Sequence, residues 1–366
     1  MEPEINNLPN PQILDDLEEV KKIDVSNVLG SIQALANQVE DAWDQVNQLE
    51  LAIDTSRIQN VVATGMGGSA LGPDVIKRAF KNQLSVPLEV INDYKLPAYV
   101  GPNTLVLVSS YSGTTEETVA AMHEAHDKGA QILVISTGGQ LAEFAKANNY
   151  GLYQINPTHN PSNQPRMAIG YSVFGIIAMF HKIGLLNLTD EQVNGVVATI
   201  RRLTSELDIS VEQDKNQAKK LAFQIIGRIP VFIGSEHLEG ALHVVQNQFN
   251  ENAKTYAEYR IIPEMNHHLM EGLRFPQTND ANLFFVLFDS ALYHERNRKR
   301  FQVTPQVIDG AGIELSSFLL TSTEPLEQVF EVITLGAFTN FYLAMLENID
   351  PTPIETVDFF KAELSK

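Results

Sequence analysis

The chain has 366 residues, with 26 Lys and Arg against 45 Asp and Glu, a formal charge of −19, and no cysteine. At roughly 100–200 residues per domain this length suggests two domains, each with ample chain for a core. Zero cysteine excludes disulfides, thiol catalysis, iron–sulfur clusters and cysteine-based zinc sites, and the acidic balance argues against nucleic acid or an anionic membrane as partner, because those need clustered Lys and Arg.

The N-terminus, MEPEINNLPNPQ, is acidic and polar, unlike a signal peptide. No uninterrupted apolar run approaches the length that spans a bilayer. With the lack of cysteine, these features predict a cytoplasmic protein. The first fifty residues hold 11 acids and 2 bases. Leu14, Leu17 and Val20, then Val28, Ile32, Leu35, Val39, Trp43 and Val46, recur at helical spacing, which predicts two amphipathic helices in an N-terminal helical segment over 1–50.

From Ile58 the pattern changes to apolar runs ending in Gly or Ser, each followed by a helical stretch: 58–64 and 69–82, 88–92, 104–109 and 115–128, 131–136 and 140–149, 151–155 and 165–183. This is the signature of βαβ units on a parallel sheet, predicted as a first domain over 51–188. The charged stretch 189–220 reads as a helical connector. The rhythm resumes over 221–366: strands at 229–234, 282–289 and 302–308, helices at 236–252, 292–300 and 325–348, and a last helix at 354–364 behind Asp350-Pro-Thr-Pro353. Both halves open on a strand ending in a Gly/Ser turn, TGMGGSA at 64–70 and IGSEHLEG at 233–240, which suggests a duplicated plan. The basic cluster Arg296, Arg298, Lys299 and Arg300 reads as a solvated face or a match to a helix C-terminal dipole.

Two loops carry anion-binding chemistry. Gly65-Met-Gly67-Gly68-Ser69-Ala70 follows a strand and opens a helix, so it can turn tightly and offer free N–H groups. Gly65, Gly67 and Ala70 also satisfy a dinucleotide fingerprint, with Glu89 or Asp93 near the acidic offset, so packing turn, dinucleotide site and phosphate cradle all remain open. In the second loop, residues 109–118 (SSYSGTTEET), seven of ten residues carry hydroxyls and a helix N-terminus follows. A phosphomonoester is served by such converging short donors plus a helix dipole. The competing reading is an N-terminal capping box of Thr114 with Glu117.

The 109–118 loop resembles the signature loop of sugar isomerase (SIS) domains, which bind phosphorylated sugars. The whole arrangement resembles the bifunctional phosphoglucose/phosphomannose isomerase family from about residue 14 to 364. The resemblance implies an α/β fold of two SIS-type, flavodoxin-like domains, each a parallel sheet flanked by helices, behind the N-terminal helical segment. It implies that Ser110, Ser112 and Thr115 hold the substrate phosphate, with Gly68 and Ser69 on the sugar and phosphate side. Arg166, in NQPRMAIGYS, is implied to stabilise an enediolate. Glu251, in Asn250-Glu-Asn-Ala-Lys254, matches the family's base. His267, in EMNHHLM, is implied to open the sugar ring, often from a partner subunit, although His268 stands where the family has Asn. Lys361, in TVDFFKAEL, matches a late lysine that assists ring opening, and Thr352 lies near a position linked to accepting both C2 epimers.

The implied function is interconversion of glucose 6-phosphate and mannose 6-phosphate with fructose 6-phosphate, with sugar 6-phosphates as ligands and a homodimer as assembly. No cofactor is implied. A metal set of His267 with Glu264 and Glu271 lacks any standard ligand spacing. A nicotinamide oxidoreductase, a non-catalytic sugar-phosphate sensor and a different SIS isomerase are the competing classes.

Overall fold

A computed structural model describes residues 11–364 and Lys366. The stretch 1–10, read above as unlike a signal peptide, lies outside the described residues. After a short 3-10 turn the chain forms α1 (Leu17–Ile23), α2 (Val28–Gln33) and α3 (Leu35–Asn47). These are three helices where the spacing predicts an unbroken amphipathic pair. The extra break is at Ala34, between α2 and α3; Asn27, at the expected break, adopts a left-handed conformation and its side chain caps α2 through Gly30 N–H.

The first sheet alternates β1 (Asn60–Thr64), α4 (Gly68–Ala79), β2 (Leu88–Ile91), β3 (Thr104–Ser109), α5 (Glu116–Asp127), β4 (Gln131–Ser136), α6 (Gly139–Ala147) and β5 (Gly151–Gln154). All its strands are parallel, in the order β2-β1-β3-β4-β5. β3 is buried at every residue because helices cover both faces, hence its unbroken apolar run. Then follow α7 (Ile169–Lys182), α8 (Asp190–Leu207) and α9 (Gln217–Ile225).

The second sheet comprises β6 (Ile229–Ser235), α10 (Glu239–Glu251), β7 (Glu258–Ile262), α11 (Leu269–Gly272), α12 (Asn279–Asn282), β8 (Leu283–Asp289), α13 (Glu295–Gly310) and β9 (Leu315–Leu319). It is also fully parallel, ordered β7-β6-β8-β9. Both halves therefore place their second strand outside their first, the doubly wound, flavodoxin-like plan. The expected strand over 302–308 does not exist: α13 runs through it, with Pro305 inside the helix. Phe301, Thr304 and Ile308 are its buried face, a helical spacing that the strand-like alternation of Val303 and Val307 disguises. The strand lies instead at β9, whose LSSFL side chains are only partly buried or exposed and carry little apolar signal. The edge strand β7 also escaped sequence reading: its EYRII residues are partly or fully buried and show no polar–apolar alternation.

The chain ends in α14 (Pro325–Leu346) and α15 (Glu355–Leu364). By length and composition α14 could cross a membrane, yet every residue from Gln328 to Leu346 is buried against α8, α9 and α10. It is a core helix, and the core it fills is continuous between the two sheets. Rings meet across it, Phe174 of α7 lying 5.5 Å from Phe330 of α14 between centroids. α15 is the opposite case, with no buried residue and Phe359 and Phe360 exposed. The basic cluster sits at the N-terminal end of α13, so the expected match to a C-terminal dipole does not arise; Arg296, Arg298 and Lys299 are solvent-exposed.

Candidate active site

β1 and β3 are adjacent parallel strands with Thr64 opposite Val108, so the loops that follow them emerge side by side at one sheet edge. This edge, between the neighbours β1 and β3, is the point where strand order reverses and open α/β sheets bind ligands. The two loops are tied together. Ser69 Oγ accepts from Tyr111 N–H at 2.9 Å, and Ser109 Oγ donates to Ser69 O at 2.8 Å. Gly68 packs so closely on the Arg166 backbone that a Cβ there would lie 3.1 Å from Arg166 N. Gly65 is equally confined, with Ser69 O at 2.9 Å from a would-be Cβ.

In the hydroxyl loop, Ser110 and Thr115 share a hydrogen bond of 2.8 Å between their side-chain oxygens. Thr115, not Thr114, is the N-cap of α5, and it makes no side-chain cap bond, so the capping-box alternative is not formed. The first-turn N–H groups of α5 are thereby left uncapped by side chains, beside a row of hydroxyls. Ser112 accepts from Thr114 N and Oγ1 at 3.3 and 3.1 Å, and its own hydrogen is directed to no acceptor among the described residues.

A third loop, missed in the sequence, braces this cradle. Thr137 N–H and hydroxyl both donate to Tyr111 O, at 2.9 and 2.7 Å, and Leu141 N–H donates to Gly113 O. Its signal was the doublet Gly138-Gly139, one residue after the end of β4. Gly113 has φ +70, and a Cβ there would fall well inside the contact radius of Gly138 O. Gly113→Ala is therefore expected to cost on the order of 3 kcal/mol in denaturant titration and to raise the KM for a sugar phosphate. Gly67→Ala, also at positive φ (+50, with ψ −130) but with nothing within 4 Å of its would-be Cβ, should cost about 2 kcal/mol, from backbone strain alone.

Arg166 follows in a 3-10 turn (Pro165–Met167) ahead of α7 and is 1% exposed. A guanidinium has five N–H donors, and the surroundings supply an acceptor for each. Nε donates to Asn252 Oδ1 at 2.5 Å, and Nη1 to Gln164 Oε1 at 2.9 Å and Glu251 Oε2 at 3.4 Å. Nη2 donates to the carbonyls of Pro351 (2.9 Å) and Thr352 (2.8 Å). Asn252 is held in turn by Asn340 of α14, Nδ2 to Oδ1 at 2.9 Å, and Gln248 donates to Arg166 O at 3.0 Å.

Glu251 reaches this place because α10 packs antiparallel on α4. Near the start of α10, a Cβ on Gly240 would collide with the Val75 backbone, and Glu239 pairs with Arg78 at 2.7 Å. The last residue of α10 thus lies near the Gly68–Ser69 end of α4. Burial raises the Glu251 carboxyl above its ordinary value, and the positive charges of Arg166, Lys254 and Lys361 offset part of that rise. Burial likewise lowers Arg166, with Glu251, Asp350 and Asp358 acting in the opposite direction.

Two of the candidates stand apart. His267 is exposed in the turn after β7, whereas Glu251 precedes that strand; the two therefore lie towards opposite ends of β7 and are not brought together within one chain. Lys361 is exposed on α15, on a side from which its charge reaches Glu251. It is His268, not His267, that approaches Glu264, at 3.8 Å and in solvent. Among the described residues no cluster of three or more His, Asp or Glu side chains has the makings of a metal site.

The equivalent strand ends of the second sheet are filled from within. Ser235 donates to Ile262 O, Ser290 to Gln328 Oε1, and Ser322 to Glu331 Oε1, at 2.7, 2.6 and 2.5 Å. In the first half, by contrast, Ser112 is exposed beside the start of α5.

Residues 214–364 match the bacterial phospho-glucose isomerase C-terminal SIS domain. A bifunctional phosphoglucose/phosphomannose isomerase of Caldicellulosiruptor bescii is 33% identical over 92% of this chain and 98% of its own length. The chain belongs to that family of SIS-domain sugar-phosphate isomerases. A second member, from Thermoplasma acidophilum, is 30% identical over 90% of this chain and 97% of its own. In fold, the chain is similar to the crystal structure of a hypothetical protein from Thermus thermophilus, with a TM-score of 0.74 and 16% identity, covering 95% of this chain and 93% of that one.

Proposed function

We propose that this isomerase interconverts glucose 6-phosphate and mannose 6-phosphate with fructose 6-phosphate through a cis-enediol, with no metal or redox cofactor. The observation that carries the reading is the Glu251 carboxylate 3.4 Å from a buried arginine, at the end of α4 where the hydroxyl cradle lies. A carbon acid beside a carbonyl needs a base of tuned pKa and a fixed positive charge where negative charge develops.

In this mechanism the phosphate rests on Ser110, Ser112, Thr115 and the helix N-termini behind the Gly68–Ser69 turn. Glu251 takes the C2 proton of the open-chain aldose, and the electron pair forms the C1–C2 double bond while negative charge moves to the carbonyl oxygen. Arg166 stabilises that charge. A proton passes between the two enediol oxygens, and Glu251 returns its proton to C1, leaving the ketone at C2. Rotation about C2–C3 presents either epimer to the same carboxylate. Ring opening is assigned to His267 and Lys361. Because His267 lies away from Glu251 of its own chain, the reading requires a homodimer in which a second copy delivers it.

A coupled assay with glucose 6-phosphate and mannose 6-phosphate, with and without EDTA, tests this. Turnover of both, unaffected by EDTA, is expected. Turnover of neither overturns the activity, and loss with EDTA overturns the metal-free route.

A further inference from the structure

After Glu251 the chain reverses through Asn252, Ala253 and Lys254, and Thr255 N–H returns to Phe249 O at 3.2 Å. Lys254 takes a φ of +54, a region glycine enters freely and other residues occupy under strain. Its Nζ donates to the carbonyl of Glu251 and, at 3.2 Å, to that of Pro351. Pro351 O is also the acceptor of Arg166 Nη2.

We propose that Lys254 is a positioning residue for the isomerisation: its ammonium clips the last turn of α10, carrying Glu251, to the Pro351–Thr352 segment that holds Arg166. Base and arginine then keep their spacing as one unit. The inference rests on the isomerase reading above. Both clipped groups are carbonyls with partial negative charge, one at a helix C-terminus, where a cation is favoured.

The charged surroundings give the clip a pH dependence. Burial first, then the charge of Arg166, lower Lys254 to about 8, while Asp350, Glu251 and Glu355 act to raise it. Asp358 and Lys361 of α15 complete the charged groups acting on this cluster. Lys254 loses its proton as pH rises through about 8, so the clip and its support of the Glu251 carboxylate weaken on the alkaline side.

The test uses full-length Lys254→Met, Lys254→Gly and Lys254→Arg, with kcat and KM for glucose 6-phosphate followed from acid to alkaline pH. Met and Gly should lower kcat about ten- to a hundredfold with little change in KM, and move the acid limb of kcat/KM upward. Arg should keep most of kcat and lose the alkaline fall. Gly relieves the backbone strain, so wild-type kcat and pH limbs in Lys254→Gly overturn the proposal. Hydrogen exchange across 349–353 reads the clip even if the wild type turns over neither sugar. Faster exchange in Lys254→Met, or in Lys254→Gly should Met fail to fold, upholds it, and unchanged exchange overturns it.

Discussion

Glu251→Gln is expected to lower isomerisation of both sugar phosphates by roughly 10²–10⁴-fold, the usual worth of a positioned general base, while substrate still binds. The amide keeps the size of the side chain and can still lie against Arg166 and the backbone at the end of α10. What it loses is the capacity to hold a proton between C2 and C1. Exchange of the C2 hydrogen with deuterated solvent should disappear with turnover, while calorimetric titration of the substrate should give a similar Kd. Substantial residual turnover would remove Glu251 from the mechanism. The wild-type pH profile bears on the same group. Burial raises the Glu251 carboxyl above its ordinary 4.5, and only the ionised form is a base. The acid limb of kcat/KM should therefore lie above that value, activity falling as pH drops through it.

Arg166→Lys is expected to lose both activity and stability. A lysine offers three donors from one point instead of a planar fork of five. At least two of the acceptors now served would be stranded: Asn252 Oδ1, Gln164 Oε1, the carbonyls of Pro351 and Thr352, and the Glu251 carboxylate. Leaving buried polar groups unpaired next to a displaced charge costs about 3 kcal/mol, readable as a lower denaturant midpoint. The kcat should fall by roughly 10²–10³-fold, as when a preorganised stabiliser of developing negative charge is removed. A variant of wild-type stability would show that the five-acceptor shell is not needed to hold the Pro351–Thr352 segment. The two substitutions differ in signature: Glu251→Gln changes chemistry with little change in folding, and Arg166→Lys changes both.

Much of the fold is legible because it is written locally. The βα alternation of the first half, the two anion-type loops and the helix that becomes α7 all come from short stretches whose apolar period and turn residues agree with their final state. Legibility fails where local chemistry is ambiguous. Residues 302–308 alternate like a strand but bury the helical set Phe301, Thr304 and Ile308 in α13. The edge strands β7 and β9 carry too little apolar pattern to be seen. Glu251 looks like any helical glutamate, and Lys254 like a solvated turn residue.

By itself, the sequence determined neutral hydroxyls and helix N-termini suited to an anion, the lack of any thiol, and an alternating βα plan. Those are properties of residue type and of spacing within one or two turns or strands; the doubly wound order and the roles expected of Glu251, His267, Lys361 and Arg166 are what the resemblance to SIS isomerases implies. Only the tertiary structure decided which of these groups meet. Arg166 touches Glu251 across 85 residues of chain and Pro351 across 185, because α10 lies antiparallel on α4 and α14 fills the space between the sheets. It also decided that the second sheet's hydroxyls are spent on internal bonds and that His267 faces solvent away from Glu251. Contacts of that range follow from how whole helices pack, and no local pattern encodes them.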